Sequence, residues 1–175
     1  GFEPRHYEID ATVERGSLRL AGRAKLHLEA TTSGARTVSL ELFRDLEVER
    51  VVDGAGRELF AFRAGPEIVV QLPRPSRAGE NLVLDVTYGG HVLEQVDDRV
   101  WDLQSTTGWY PHAGTIDGAT YDVTLRWPPK YRLLTGGSRV GSGEAGGYRW
   151  QRRRIDLPAI AASFVLGRFD VVERD

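Results

Sequence analysis

Apolar residues recur at every second position along most of this chain. From Leu18 they run Leu18, Leu20, Ala24, Leu26, Leu28 and Ala30, with Arg19, Arg23, Lys25, His27 and Glu29 between them. A repeat of two puts the first set on one face of a strand and the second in water. Tyr7, Ile9, Ala11 and Val13 alternate in the same way against His6, Glu8, Asp10, Thr12 and Glu14. "ERGS", residues 14 to 17, joins the two runs as a short hairpin loop. Gly22 falls in the apolar register, where glycine marks a bulge or bend.

The same pattern continues. Val38, Leu40 and Leu42 form a short run, and Asp53-Gly54 in "VVDGAGREL" is a hairpin signal that Phe60 and Phe62 follow. Ile68, Val70 and Leu72 make a strand ended by Pro73 and Pro75. Leu82, Leu84, Val86 and Tyr88 make the next, stopped by Gly89-Gly90. Tyr121, Val123, Leu125 and Trp127 make another, ended by Pro128-Pro129, and Tyr148 and Trp150 alternate with Arg149 and Gln151. No window of helical length carries an i, i+3, i+4, i+7 stripe. The 20 glycines among 175 residues exceed the ordinary ~7% and fall mainly between strands. Many short strands with regular turn signals predict an all-β, mainly antiparallel sandwich or open barrel with no long helix. Residues 1–175 read as one domain of two sheets, with an irregular crossover around 89–118. The final run, "AIAASFVLGRF" at 159–169, is apolar on both registers, so both its faces should be covered. A second sheet or a neighbouring domain would serve.

Hydrophobic residues make up 41% and charged residues 27%, with a net charge of -2. That balance lacks the basic bias of a nucleic-acid binder. No run approaches the ~18 apolar residues of a membrane span. With no cysteine, disulfides, thiolate metal sites and a cysteine nucleophile are excluded, and the composition suits an oxidising or a reducing compartment. There is no methionine even at residue 1, so Gly1 reads as a cleavage scar and the chain as cut from a longer protein.

Chemistry-bearing motifs are sparse. His6, His27, His91 and His112 form no H-x-H, H-x-x-x-H or H-E-x-x-H pattern, and His6 and His27 lie on outward registers. G-x-S-x-G is absent, and "GGSRVGSGEAGG" at 136–147 reads as a flexible loop with no Lys-Ser/Thr of a P-loop. Asp97-Asp98 reads as a solvated acidic pair. "QRRRID" at 151–156 sends Arg152 and Arg154 to one face and Arg153 to the other, placed for salt bridges to acidic strands. The aromatics carry the one binding hypothesis. Trp101, Trp109, Tyr110, Trp127 and Trp150 could line a platform for a sugar or peptide. Trp127 and Trp150 complete strand registers and read as core, whereas Trp109 and Tyr110, in "GWYPHAG", lie in the irregular segment.

The order of the pieces resembles the N-terminal domain of the aminopeptidase N family, the H-E-x-x-H zinc aminopeptidases. "HYEIDATVERGSLRLAGRAKLHLEA" is similar to that domain's opening hairpin with a mid-strand glycine. "TVSLELFRDLEVERVV", "RAGENLVLDVTYGGHV", "GWYPHAGTIDGATYDVTLRWPPKYRLLTGG" and "IDLPAIAASFVLGRFDVVE" follow in family order. The resemblance implies a saddle-shaped β-sandwich that is not catalytic. It would pack on a C-terminal catalytic domain of the same polypeptide and form one wall of its peptide-substrate cleft. This chain would hold no cofactor, with zinc in the parent's catalytic domain. By the same resemblance Gln104, Trp109, Tyr110 and His112 would lie at the cleft rim, around a structural corner fixed by Pro111. Two features depart from the family pattern. The aspartate, second proline and lysine that usually follow the corner are missing, with Asp117 out of register. Gln104 lies closer to the proline than the family's substrate-holding residue does.

The alternatives are a free-standing carbohydrate- or peptide-binding module using Trp109 and Tyr110 as a platform, and an adhesion or assembly domain. The docking reading carries its own expectation: an exposed apolar patch of several hundred Å² near the corner and the C-terminus, as is common at interaction sites. Burial of Trp109 and Tyr110 together with absence of such a patch would favour a self-contained module.

Overall fold

The computed structural model describes residues 1–97, 99–103, 108–113, 118–159 and 162–168. These residues form fifteen strands and no helix. The strands are β1 (Phe2–Val13), β2 (Leu20–Ala30), β3 (Thr37–Glu41), β4 (Leu46–Asp53), β5 (Ala61–Ala64), β6 (Glu67–Gln71), β7 (Asn81–Gly90), β8 (Glu94–Asp97), β9 (Val100–Leu103), β10 (His112–Ala113), β11 (Ala119–Trp127), β12 (Arg132–Thr135), β13 (Ser138–Ala145), β14 (Tyr148–Ala159) and β15 (Phe164–Gly167). The all-β expectation holds. The strands are distributed over three sheets, where the sequence reading anticipated two: a large one in the order β13-β14-β11-β1-β2-β7-β4, a second in the order β10-β3-β6-β5, and a third in the order β12-β15-β9-β8. All the pairings are antiparallel except β1 with β11.

Period two decides which face goes inward. Tyr7, Ile9, Ala11 and Val13 of β1 are buried, as are Leu20, Ala24, Leu26 and Leu28 of β2, Leu84, Val86 and Tyr88 of β7, and alternate residues of β11 from Tyr121 to Trp127. They share one core with Val38, Leu40, Ile68 and Val70 of the second sheet and Leu103, Leu133, Phe164 and Leu166 of the third. Each fully buried aliphatic side chain contributes about 1.5–3 kcal/mol, so this shared layer accounts for the bulk of the fold's stability.

The opposite face of the large sheet is a ladder of charges. Arg23 donates to both carboxylate oxygens of Asp85, from Nε at 2.8 and 3.0 Å. His27 lies 2.7 Å from Glu8, and this hydrogen bond holds the Glu8 carboxyl below its ordinary range. "QRRRID" behaves as the register predicts: Arg154 and Arg152 reach Asp122 at 3.1 and 3.8 Å, while Arg153 turns the other way, to Gly137 O at 3.0 Å. The exposed pairs contribute about 0–1 kcal/mol each. Asp85 is buried, so its forked bond to Arg23 is the member of the ladder whose loss would leave a charge uncompensated.

Three local expectations change. Gly22 makes no bulge, because its pairing with β1 and β7 is regular. The ring of Tyr88 lies where its Cβ would stand, with Cε2 2.8 Å from that point. Residues 138–145 are not a flexible loop but β13, paired along β14. Their glycines are cleared for Trp150, whose Nε1 would lie 3.0 Å from a Cβ on Gly143. The crossover at 89–118 is irregular but contains β8, β9 and β10.

Candidate functional site

The stretch from Gly108 to Ala113 is built into the core. Gly108, at φ 60°, is in the left-handed region where a side chain is strained. Its carbonyl accepts from the Phe43 amide at 2.9 Å. Trp109 is 0% exposed. Its indole N–H donates to Ala162 O at 2.7 Å, and its ring stands edge-on to Phe164 (5.6 Å, 79°) and to Tyr110 (5.1 Å, 80°). The corner thereby grips the start of the closing strand β15. Tyr110 is 3% exposed, and its hydroxyl donates to the Tyr121 hydroxyl at 3.1 Å. Tyr7 stacks on Tyr121 (5.2 Å, 11°), and its hydroxyl accepts the Ala113 amide at 3.2 Å. Pro111 is buried, and its fixed φ suits a turn that needs no N–H.

These positions correct the binding-platform expectation. Trp109 and Tyr110 offer no surface to a sugar or peptide because both are buried. A segment without strand period gives no sign in the sequence of which side chains turn inward. His112 is the partly exposed member. Its Nε2 lies 3.6 Å from Glu41, its neighbour across the β10–β3 pairing. Gln104, the last rim candidate, and Asp98 and Asp117 lie outside the described residues. Trp127 is core as expected, its indole N–H bonded to Tyr131 O at 3.1 Å. Trp150 is only half-buried. Of the closing run, Ala162, Phe164 and Leu166 are buried and Val165 is partly so; the segment beyond Arg168 is outside the described residues.

Burial pushes the phenols of Tyr7, Tyr88, Tyr110 and Tyr121 upward from their ordinary value. A phenol held neutral can donate a hydrogen bond but cannot serve as a base near neutral pH. The sign of the linkage follows. These raised values add stability that is fully present below the unfolded value of about 10 and is lost as pH rises through the folded values. Absorbance titration near 295 nm should therefore show these four tyrosines silent up to about pH 10, then ionising together with unfolding. Smooth ionisation at ordinary pH with the fold intact would refute the buried cluster.

No group of three or more His, Cys, Asp or Glu residues that could hold a metal ion occurs among the described residues. No described helix is long and apolar enough to cross a membrane. Fold and corner together define an all-β assembly of three sheets closed around an aromatic lock. No protein-family model matches the sequence, and no curated protein matches it. Solved structures do share the fold, M1 zinc metallopeptidases among them. The enzyme from Deinococcus radiodurans superposes with a TM-score of 0.82 at 22% identity, over 95% of this chain and 42% of that one. A point mutant of it bound to a Tyr-Ser-Ala substrate gives 0.83 at 23%, with the same coverage. A two-domain M1 zinc metallopeptidase mutant bound to L-arginine gives 0.83 at 22%, again over 95% and 42%. The chain has the fold of part of these enzymes and spans about 42% of their length.

Proposed function

We propose that this chain, as a single unit of residues 1–175, is the non-catalytic N-terminal β domain of a zinc aminopeptidase-like protein. In this reading it packs against a catalytic domain of the same polypeptide and forms one wall of its peptide cleft. The observation that carries the reading is the fold match along nearly the whole chain to enzymes more than twice as long. The sequence contains no H-E-x-x-H, so the zinc ligands and the general-base glutamate would come from the companion domain. The rim role narrows. Trp109 and Tyr110 act from within the core, holding the turn that presents His112 beside Glu41, while Gln104 stays a rim candidate by resemblance. Burial of both rings removes the Trp109–Tyr110 platform of a free-standing module, and it equally removes those rings from the apolar docking patch expected at the corner. The C-terminal side of that patch, beyond Arg168, lies outside the described residues.

The gene and an assay test this. The reading frame is expected to continue into an H-E-x-x-H domain. The whole protein is expected to release the N-terminal residue from aminoacyl p-nitroanilides, to lose that activity to 1,10-phenanthroline and to regain it with zinc, while residues 1–175 alone release none. A frame without the motif, or a whole protein that hydrolyses no such substrate, would sink the proposal.

A further inference from the structure

The large hydrophobic side chains exposed among the described residues are mostly scattered: Leu134, Val140 and Leu157 stand on separate strands. Phe60 and Phe62 do not fit that pattern. They are 67% and 52% exposed, with ring centroids 6.5 Å apart. As i and i+2 residues of an extended segment they point to one side, which here is the outside. The apolar register of β5 is thus turned away from the core, which a solvated surface gives no reason for.

The backbone beneath them is paired with β6 on one side only among the described residues. β5 is the outer strand of the second sheet and β4 the outer strand of the large sheet. Gln71 N donates to Phe60 O at 2.8 Å, so pairs 60–71 and 62–69 are the hydrogen-bonded ones, and the amides of Ala61 and Arg63 face away from β6. They open onto a groove of about 360 Å³ between the two strands, lined by Leu46, Glu47, Val48, Ala61, Phe62 and Arg63 among others. The groove is closed at one end, where Leu59 N donates to Val51 O at 2.9 Å. Its wall is fixed. Arg63 turns inward and donates to the carbonyls of Phe43 (2.6 Å), Leu42 (2.9 Å) and Leu46. Phe43 bonds Gly108, and Trp109 next to it bonds Ala162 at the start of the closing strand. A continuous hydrogen-bonded path thus leads from the exposed aromatic edge to the closing strand.

We propose that the Phe60–Phe62 edge and the groove between β4 and β5 are the seat of the companion domain, an inference that rests on the function proposed above. The matched structures carry more than half their length outside the part this chain covers, and one is a two-domain enzyme. A companion in the same polypeptide acts at an effective concentration on the order of mM, so a small apolar seat holds it. A second copy in free solution would have to be held by the patch alone. The four residues of β5 span about 13 Å, too little for the ~800 Å² per partner of a stable dimer.

Hydrogen exchange decides the matter, comparing the whole protein with residues 1–175 at equal concentration. The amides of Ala61 and Arg63 are expected to exchange at least about tenfold more slowly in the whole protein, while the far edge at β13 exchanges equally in both. Phe60→Ser with Phe62→Ser should leave the melting temperature of residues 1–175 within about 2 °C. In the whole protein the same double variant should erase the added protection. Equal exchange at β5 in both forms overturns the seat, as does added protection confined to Leu134 and Val165. Protection that grows with the concentration of residues 1–175 alone assigns the edge to a second copy and overturns it too. A frame that ends near residue 175 overturns this seat and the proposed function together. A frame that carries H-E-x-x-H with no protection at β5 overturns the seat alone.

Discussion

Trp109→Ala is expected to lower the midpoint of thermal unfolding by about 10 °C or more. The indole is fully buried and touches Phe164 and Tyr110 edge-on. Truncating such a side chain costs about 3–5 kcal/mol, from lost transfer energy and the cavity left behind. A chain of this size loses about 2–4 °C per kcal/mol. The substitution also leaves Ala162 O without the indole donor that meets it at 2.7 Å, and a buried acceptor without a partner costs about 1–3 kcal/mol. Trp109→Phe separates the two contributions: it keeps most of the apolar area and removes only the donor, so its midpoint should fall between those of the wild type and Trp109→Ala. Calorimetry of the three proteins is the check. A shift below about 3 °C for Trp109→Ala would mean that the corner is not part of the core.

The same residue shows where the sequence could be read and where it could not. In β11 the alternation of Tyr121, Val123, Leu125 and Trp127 with polar neighbours maps without error onto buried and half-exposed positions, because a strand has two faces and one is wet. Around Trp109 there is no period, so the sequence left a buried corner and an exposed platform both open, and the contacts with Ala162 and Phe164, more than fifty residues away, put the ring inside. β5 fails in another way. Alternation places Phe60 and Phe62 together on one side but cannot say which side is inward. That choice is made by Arg63, whose guanidinium finds the carbonyls of residues 42, 43 and 46 on the opposite face. The parallel pairing of β1 with β11 joins residues more than a hundred positions apart, and no local signal announces it. Gly22 was visible as an anomaly in the apolar register, but its reason, the Tyr88 ring lying over it, belongs to a neighbouring strand.

Gly90→Ala should be comparably damaging, and for a reason that joins the fold to the proposed seat. Gly90 ends β7 where three strands meet, opposite Leu20 of β2 on one side and Leu46 of β4 on the other. Its φ is 156°, at the margin of the region that favours glycine. A Cβ there would press into the Asp45 carbonyl oxygen and stand 3.0 Å from Leu46 Cα. Both are backbone, so no side chain can swing aside. Strained backbone costs about 1–3 kcal/mol and overpacking about 1–3 kcal/mol more, which together predict a midpoint lowered by about 10 °C. Gly136→Ala is the matched control, because its Cβ would meet nothing within 4 Å, and its midpoint should not fall. The damage should also be local before it is global. Asp45 and Leu46 belong to the segment whose carbonyls Arg63 clasps and whose Phe43 amide bonds Gly108. Pushing them away loosens the groove wall and the corner together. Hydrogen exchange of Gly90→Ala well below its melting temperature should accordingly show faster exchange at residues 43–48 and 61–64 than in the wild type, with β11 and β14 unchanged. Uniform acceleration across the large sheet would instead mean that Gly90 serves the sheet alone and that the groove wall is held independently of it.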